Sequence, residues 1–144
     1  MPGPKSFAPR PVTPSISKKR FTVAQANRTL PLVKRIVSDI VRMHDKAVEL
    51  QTQIEIDNNA KDQAVTQTSL DQAVERLQNY VGELTDVGCE LKDYEMGLVD
   101  FTGRHQGRDV LLCWKLGEDK IGYWHELNAG FANRKPVALL DQNA

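Results

Sequence analysis

The sequence contains no apolar run that approaches the roughly 20 residues needed to span a membrane. It also lacks the apolar core that marks a secretory signal peptide. Cysteine is scarce, since the 144 residues include two, Cys89 and Cys113. So few cysteines exclude a disulfide framework and favour a reducing, cytoplasmic setting in which both are buried free thiols.

The motifs of nucleotide, metal and hydrolase sites are missing as well. The sequence has no glycine-rich phosphate loop, nucleophile elbow, HExxH pair, paired CxxC or calcium-binding loop. Cys89, Cys113 and His125 are 24 and 12 residues apart, whereas structural zinc sites use short paired spacings. The sequence therefore predicts no catalytic residues and no metal site, and it assigns no cofactor.

Basic and acidic residues balance overall but are unevenly distributed. Residues 1–38 carry eight Lys and Arg and no Asp or Glu, so the remainder carries 11 basic residues and all 19 acidic ones. Five of the seven prolines lie in residues 1–20, which predicts a disordered basic tail there. Nucleic-acid binding is not favoured, because the body is acidic and has no basic stripe with interleaved aromatic residues.

Helical periodicity dominates the next part of the chain. Thr22 and Gln25 have the spacing of a capping box, and Pro31 lacks the amide proton that a helix interior needs. Apolar residues then follow heptad spacing for three repeats, which is typical of helical hairpins and coiled coils. Ser69 starts a second capping-box pattern, and Gly88 suits a left-handed helix cap. The predicted helices span residues 23–30, 31–57 and 69–87.

After Gly88 the apolar period shortens from about 3.6 residues to 2, which indicates β-strands. The predicted strands are 89–92, 98–102, 109–116 and 121–127. The predicted fold class is therefore α+β, with a long antiparallel helical hairpin capped by a small antiparallel β-meander. One domain is expected over residues 21–137, followed by a C-terminal tail at 138–144.

The last two predicted strands form a hairpin, and its register decides which side chains share a face. A loop at residues 117–120 places Leu112 opposite His125, on the apolar face that packs against the helices. Alternation then puts Trp124 and Glu126 on the opposite, mixed face. On this interpretation His125 and Glu126 do not serve one centre, and His125 is a satisfied core residue.

The mixed face carries the candidate ligand-binding residues. Pairing of the strands at 98–102 and 109–116 adds Asp100 to the face that also carries Cys113, in one row with Leu111 and Glu126. Trp124 needs a cover there, which the C-terminal Phe131 provides, with Arg134 reaching an acidic residue of this face. The predicted ligand-binding residues are Asp100, Trp124, Glu126 and Arg134, joined by His125 from a bulged strand. Solvated surface acids are the alternative interpretation of the carboxylates.

The turn at residues 103–108, GRHQGR, is a second candidate. Arg104 and Arg108 lie there beside two glycines whose backbone amides can face an anion. This arrangement is typical of a phosphate or carboxylate clamp. A polar hairpin loop with a left-handed glycine explains the same residues without any function.

Four segments together carry a family resemblance. They are FTVAQANRTLPLV from residue 21, GLVDF at 97–101, LLCWKLGE at 111–118 and WHELNAGF at 124–131. In this order they resemble the prokaryotic domain of unknown function 2203 family, over about residues 21–137. The resemblance implies a bacterial, cytoplasmic protein and carries no activity with it. It singles out as family-like Asp100, Trp114, Glu118, Trp124, His125, Glu126, Phe131 and Arg134.

Two functional hypotheses from different classes follow. The first is a non-catalytic interaction module, in which the heptad-patterned hairpin associates with a second copy or with another helical protein. The second is a small-ligand or metal-binding domain with its site on the mixed face. An enzyme ranks below both, because no nucleophile is paired with a base.

Overall fold

The computed structural model describes residues 19–140, which form two long helices followed by five strands. Residues 1–18 of the predicted tail lie outside the described residues, as do residues 141–144. At the other end, Val137–Leu139 form a short 3-10 helix and Leu140 is buried, so the ordered chain continues past the predicted limit at 137. No helix of the described part has the length and apolarity needed to cross a membrane.

Helix α1 is a continuous segment, Val23–Ile56, of 34 residues. It begins at the predicted capping box, since the Thr22 hydroxyl accepts from the Gln25 amide and the Gln25 side chain accepts from the Thr22 amide. The predicted break at Pro31 is wrong. Proline already has helical φ and removes only one backbone hydrogen bond, while the buried Leu30 and Val33 on either side hold the chain in the helix.

Pro31 sits in the helix interior, where replacement by alanine restores the missing backbone hydrogen bond. We expect Pro31→Ala to raise the free energy of unfolding by about 1–2 kcal/mol, after allowing for the added chain entropy of the unfolded state. Urea denaturation measures this change. Pro136→Ala is the matched control outside the helices and should not stabilise. A destabilised Pro31→Ala variant would show that the proline ring itself contributes packing.

Helix α2 spans Ala60–Val87 and begins nine residues before the predicted start at Ser69. Its N-cap is Asn59, whose side chain accepts from the amides of Lys61 and Asp62. The amide of the Gln63 side chain also donates to two carbonyls at the end of α1. These polar contacts start the helix where apolar periodicity is absent. The C-cap is the predicted Gly88, with φ of 113°.

Helix α1 is about 51 Å long and α2 about 42 Å, because they contain 34 and 28 residues. The last fully buried residue of α1 is Ala47, and the first of α2 is Leu70. Residues 48–69, here called the distal arm, are therefore a two-helix extension without a fully buried side chain of its own. The sheet packs beside the other end of the hairpin.

The sheet is an antiparallel meander with strand order β1-β2-β3-β4-β5. The strands are β1 Cys89–Asp93, β2 Leu98–His105, β3 Arg108–Lys115, β4 Tyr123–Glu126 and β5 Lys135–Pro136. The predicted α+β architecture is confirmed, and β5 adds an edge strand from the C-terminal region. We call the sheet face that packs on the helices the inner face and the opposite one the outer face.

The register of β3 and β4 differs by one residue from the predicted one. Leu112 lies opposite Trp124, and Leu111 lies opposite His125. The shift arises because Ile121 leaves the strand: its amide donates to the Asn27 side chain of α1, and its own side chain is buried in the core. A one-residue shift moves every side chain of β4 to the other face.

The inner face is apolar and closely packed. Its central side chains are almost completely buried and face the helices: Val99, Phe101, Val110, Leu112 and Trp114. Phe21, just before α1, packs edge-on against Phe101 at a centroid distance of 5.1 Å. The polar residues of interest lie on the outer face.

Candidate functional site

Three adjacent strands bring Asp100, Cys113 and His125 together on the outer face. Asp100 of β2 lies directly opposite Cys113 of β3, and His125 of β4 lies in the next row. All three are at least 96% buried. Each residue offers one ligand atom: a carboxylate oxygen, the cysteine sulfur or a ring nitrogen. These three atoms lie within 4.8 Å of one another. We call these residues the outer cluster.

The imidazole of His125 is oriented by a backbone carbonyl. Its Nδ1 lies 2.8 Å from the carbonyl oxygen of Glu126, which can only accept, so Nδ1 carries a proton and donates it. Nε2 lies 3.3 Å from both carboxylate oxygens of Asp100. A neutral imidazole would therefore aim its Nε2 lone pair at a carboxylate. A cation, either a proton or a metal ion, is needed between them.

In the metal-free protein a proton is the cation available to fill this position. Burial acts to lower the pKa of His125, but hydrogen bonding to Asp100 and to the Glu126 carbonyl outweighs it, so the pKa is raised above the ordinary 6.5. When His125 is protonated, the outer cluster holds a buried ion pair of imidazolium and carboxylate.

The Nε2–carboxylate distance is longer than usual for such a pair. Charged hydrogen bonds from nitrogen to a carboxylate are about 2.7–2.9 Å long, compared with 3.3 Å here. Two donors bound at about 2.0–2.1 Å to one tetrahedral ion lie roughly 3.3 Å apart. The separation is therefore compatible with two ligands of a common metal ion as well as with a long hydrogen bond.

Cys113 contributes a sulfur donor rather than an activated nucleophile. The pKa of its thiol is raised to about 12, chiefly by burial and in addition by Asp100, while Arg134 acts in the opposite direction. The thiol is therefore neutral near pH 7 and is a poor nucleophile in the metal-free protein. A bound metal ion can displace the thiol proton, because metal binding competes with protons for cysteine and histidine ligands.

A C-terminal segment, residues 131–136, packs on the outer face beside this cluster, and we call it the strap. Its Arg134 donates to both carboxylate oxygens of Glu118, at 3.2 and 3.0 Å. The guanidinium lies 4.2 Å from the ring centroid of Tyr123 and 4.1 Å from that of Phe131. Glu118 is itself held by the Lys115 amide. Arg134 is thus fixed between two rings and a carboxylate.

Comparison with known proteins places this arrangement in a family. The profile of the family described as "Uncharacterized conserved protein (DUF2203)" matches residues 19–137. The chain belongs to the DUF2203 family. No match was found among curated proteins or among solved structures. The DUF2203 match includes the outer cluster, Glu118 and the whole strap.

Several predicted site residues of this DUF2203 chain lie elsewhere. Trp124 is on the inner face, not the mixed face, and within the described residues its buried indole N–H has no hydrogen-bond partner. Glu126 is also on that face and pairs with Arg108 at 2.6 Å. Arg104 donates to the Gly107 carbonyl, so the side chains of the expected anion clamp are engaged within the protein.

Other predicted residues do meet at the outer cluster. Asp100 lies on the expected face beside Cys113. His125 joins them from a regular strand position, so the predicted core location is wrong and no bulge is required. Arg134 covers the same face, although its partner is Glu118 rather than Glu126 or Asp100.

The site role of Cys113 was missed in the sequence. Short spacings between ligands along the chain are typical of metal sites whose ligands lie in short loops. Ligands on three neighbouring strands need no such spacing. The usable signal was that Asp100 and Cys113 share a face in the predicted β2–β3 pairing.

Proposed function

We propose that this protein binds one transition-metal ion of the zinc class through Asp100, Cys113 and His125. The observation that carries the proposal is the position of His125 Nε2, aimed at both oxygens of a buried carboxylate 3.3 Å away with a buried thiol beside them. Glu126 supports the site through its carbonyl, which fixes the imidazole tautomer as outer ligands of metal sites do.

The donor set favours one class of metal. Nitrogen, sulfur and oxygen donors together suit Zn²⁺ and neighbouring transition metals, whereas Mg²⁺ and Ca²⁺ prefer oxygen ligands. Cys113 as thiolate and Asp100 together balance the charge of a divalent ion. Three protein ligands leave a fourth position for water or another donor.

Cobalt titration tests the proposal, because Co²⁺ reports its ligands by absorption. We expect one equivalent of Co²⁺ to give visible bands and a near-ultraviolet thiolate band. Cys113→Ser should lose the thiolate band and bind at least a hundredfold more weakly. Cys89→Ser removes the other buried thiol, from the inner face, and should behave like the parent protein. Absence of saturable cobalt binding would refute the metal site.

The distal arm supports a second candidate, association through the helical hairpin. Val48, Ile56 and Val65 expose 43%, 64% and 64% of their surface there, and the arm has no fully buried residue. Such a surface fits coiled-coil pairing with a second copy or a helical partner. Sedimentation velocity tests the first form, since a strict monomer at tens of micromolar rejects self-association.

We further propose the cytoplasm of a bacterial cell as the setting of this protein. Both cysteines are free thiols in the structure, and Cys113 must stay reduced to serve as a metal ligand. Thiols persist in a reducing compartment, whereas an oxidising one converts them to disulfides or sulfur oxides.

A further inference from the structure

The outer cluster is covered, although its face of the sheet points away from the helices. Cys113 has no exposed surface. Tyr123 lies directly opposite it in the β3–β4 ladder, and Arg134 of the strap stacks on the Tyr123 ring. Phe131 lies near the ammonium of Lys115, two residues from Cys113 along β3. The strap therefore closes the outer face over the thiol.

The attachments of the strap include backbone pairing, ring contacts and the ion pair of Arg134. Its strand β5 pairs two residues with β4, and the Val137 amide adds a hydrogen bond to the Gly122 carbonyl. Arg134 makes the ion pair with Glu118 and stacks on the Tyr123 ring of β4, whereas its contact with Phe131 lies within the strap. Phe131 and Lys135 add ring contacts with Lys115 and Trp124. In this ion pair the arginine side chain is 14% exposed and the glutamate 21%. Such a segment opens locally at a small fraction of the cost of global unfolding.

We propose that the strap opens locally to admit and release the ion of the outer cluster, and that Arg134 is the latch that holds it closed. The identity of the ion rests on the proposed metal site. The opening itself is a property of the metal-free protein, so it is measured without any metal.

The two cysteines make the measurement internally controlled. Both are buried free thiols, and burial is the main cause that raises the pKa of each to about 12. Cys89 lies on the inner face, where its sulfur donates to the Leu84 carbonyl of α2, away from the strap. Alkylation of the full-length, metal-free protein by N-ethylmaleimide, followed by peptide mass spectrometry, gives the rate at each thiol.

In Arg134→Ala we expect Cys113 to be alkylated at least tenfold faster, which corresponds to about 1.4 kcal/mol, with no change at Cys89. Arg108→Ala is the matched control, because it also removes an arginine–glutamate ion pair but on the inner face. It should leave both rates unchanged. Tyr123→Leu keeps the Arg134–Glu118 pair and removes one stacking ring, so it should give a smaller increase confined to Cys113.

An unchanged Cys113 rate in Arg134→Ala and Tyr123→Leu would overturn the latch. Equal acceleration of both thiols would also overturn it, since Arg134 would then support the whole fold. In metal-loaded protein, release of Co²⁺ to a chelator should be at least tenfold faster in Arg134→Ala. If cobalt does not bind at all, the alkylation rates of Cys113 still test whether the strap opens. Failure of the metal site and failure of the latch are therefore distinguishable.

Discussion

Zn²⁺ at a free concentration one hundred times its dissociation constant should raise the free energy of unfolding of the metal-free protein by about 2.7 kcal/mol. For a domain of this size the corresponding rise in melting temperature is roughly 10 °C. At a fixed zinc concentration the gain should grow with pH, because the ion displaces protons from Cys113 and His125 and its dissociation constant falls as pH rises. Thermal unfolding at several zinc concentrations and at pH 6, 7 and 8 measures both effects.

Two variants separate this effect from adventitious binding. Cys89→Ser keeps all three ligands and should retain the full shift in melting temperature. Cys113→Ser loses the sulfur donor and should retain little of it. A shift of equal size in the two variants would place the bound zinc outside the outer cluster.

His125→Leu should lower the free energy of unfolding of the metal-free protein by about 3–5 kcal/mol near neutral pH. The substitution leaves the Asp100 carboxylate 4% exposed and without its cationic partner, and an unpaired buried charge is strongly destabilising. Urea denaturation in the presence of a chelator measures the loss.

A second substitution identifies the cause of this loss. Replacing a buried ion pair by apolar residues is often close to neutral, so adding Asp100→Leu to His125→Leu should recover at least about 1 kcal/mol. A double variant no more stable than His125→Leu alone would mean that lost packing, not the unpaired carboxylate, dominates.

The parent protein should also show a pH signature of the pair. Because the folded pKa of His125 is raised, its contribution to stability is fully present below about pH 6.5 and is lost as pH rises through the folded pKa. Metal-free stability should therefore include a component that declines with pH, and His125→Leu should lack that component. Zinc affinity should instead rise with pH, because the ligands must lose their protons to bind the ion. The opposite pH dependences distinguish stabilisation by the proton from stabilisation by the metal ion.

Local signals in the sequence were reliable where one short-range contact decides the structure. The capping box of Thr22 and Gln25 and the left-handed cap at Gly88 are confirmed. The predicted break at Pro31 and the late start at Ser69 are wrong. Long-range packing around Pro31 and a polar cap at Asn59 outweighed the local preferences there.

The candidate site could be anticipated only in part. Alternation along β2 and β3 places Asp100 on the face that carries Cys113, and the structure confirms this shared face. The predicted row is wrong, because Asp100 lies opposite Cys113 rather than Leu111. Arg134 was assigned to the same face, but its partner Glu118 is in a loop whose course the sequence pattern does not define. Loop geometry depends on contacts with distant residues, such as the Asn27 side chain that holds Ile121.

The periodicity of apolar residues alone establishes that this chain is a helical hairpin followed by a β-meander. Periods of 3.6 and 2 residues are properties of the local backbone in helices and strands. This periodicity leaves open a shift of one residue between β3 and β4. Packing resolves that shift: burying Ile121 in the core against α1 starts β4 at Tyr123 and turns His125 outward. The meeting of His125 with Asp100 and Cys113 therefore depends on a tertiary contact more than 90 residues apart in the chain.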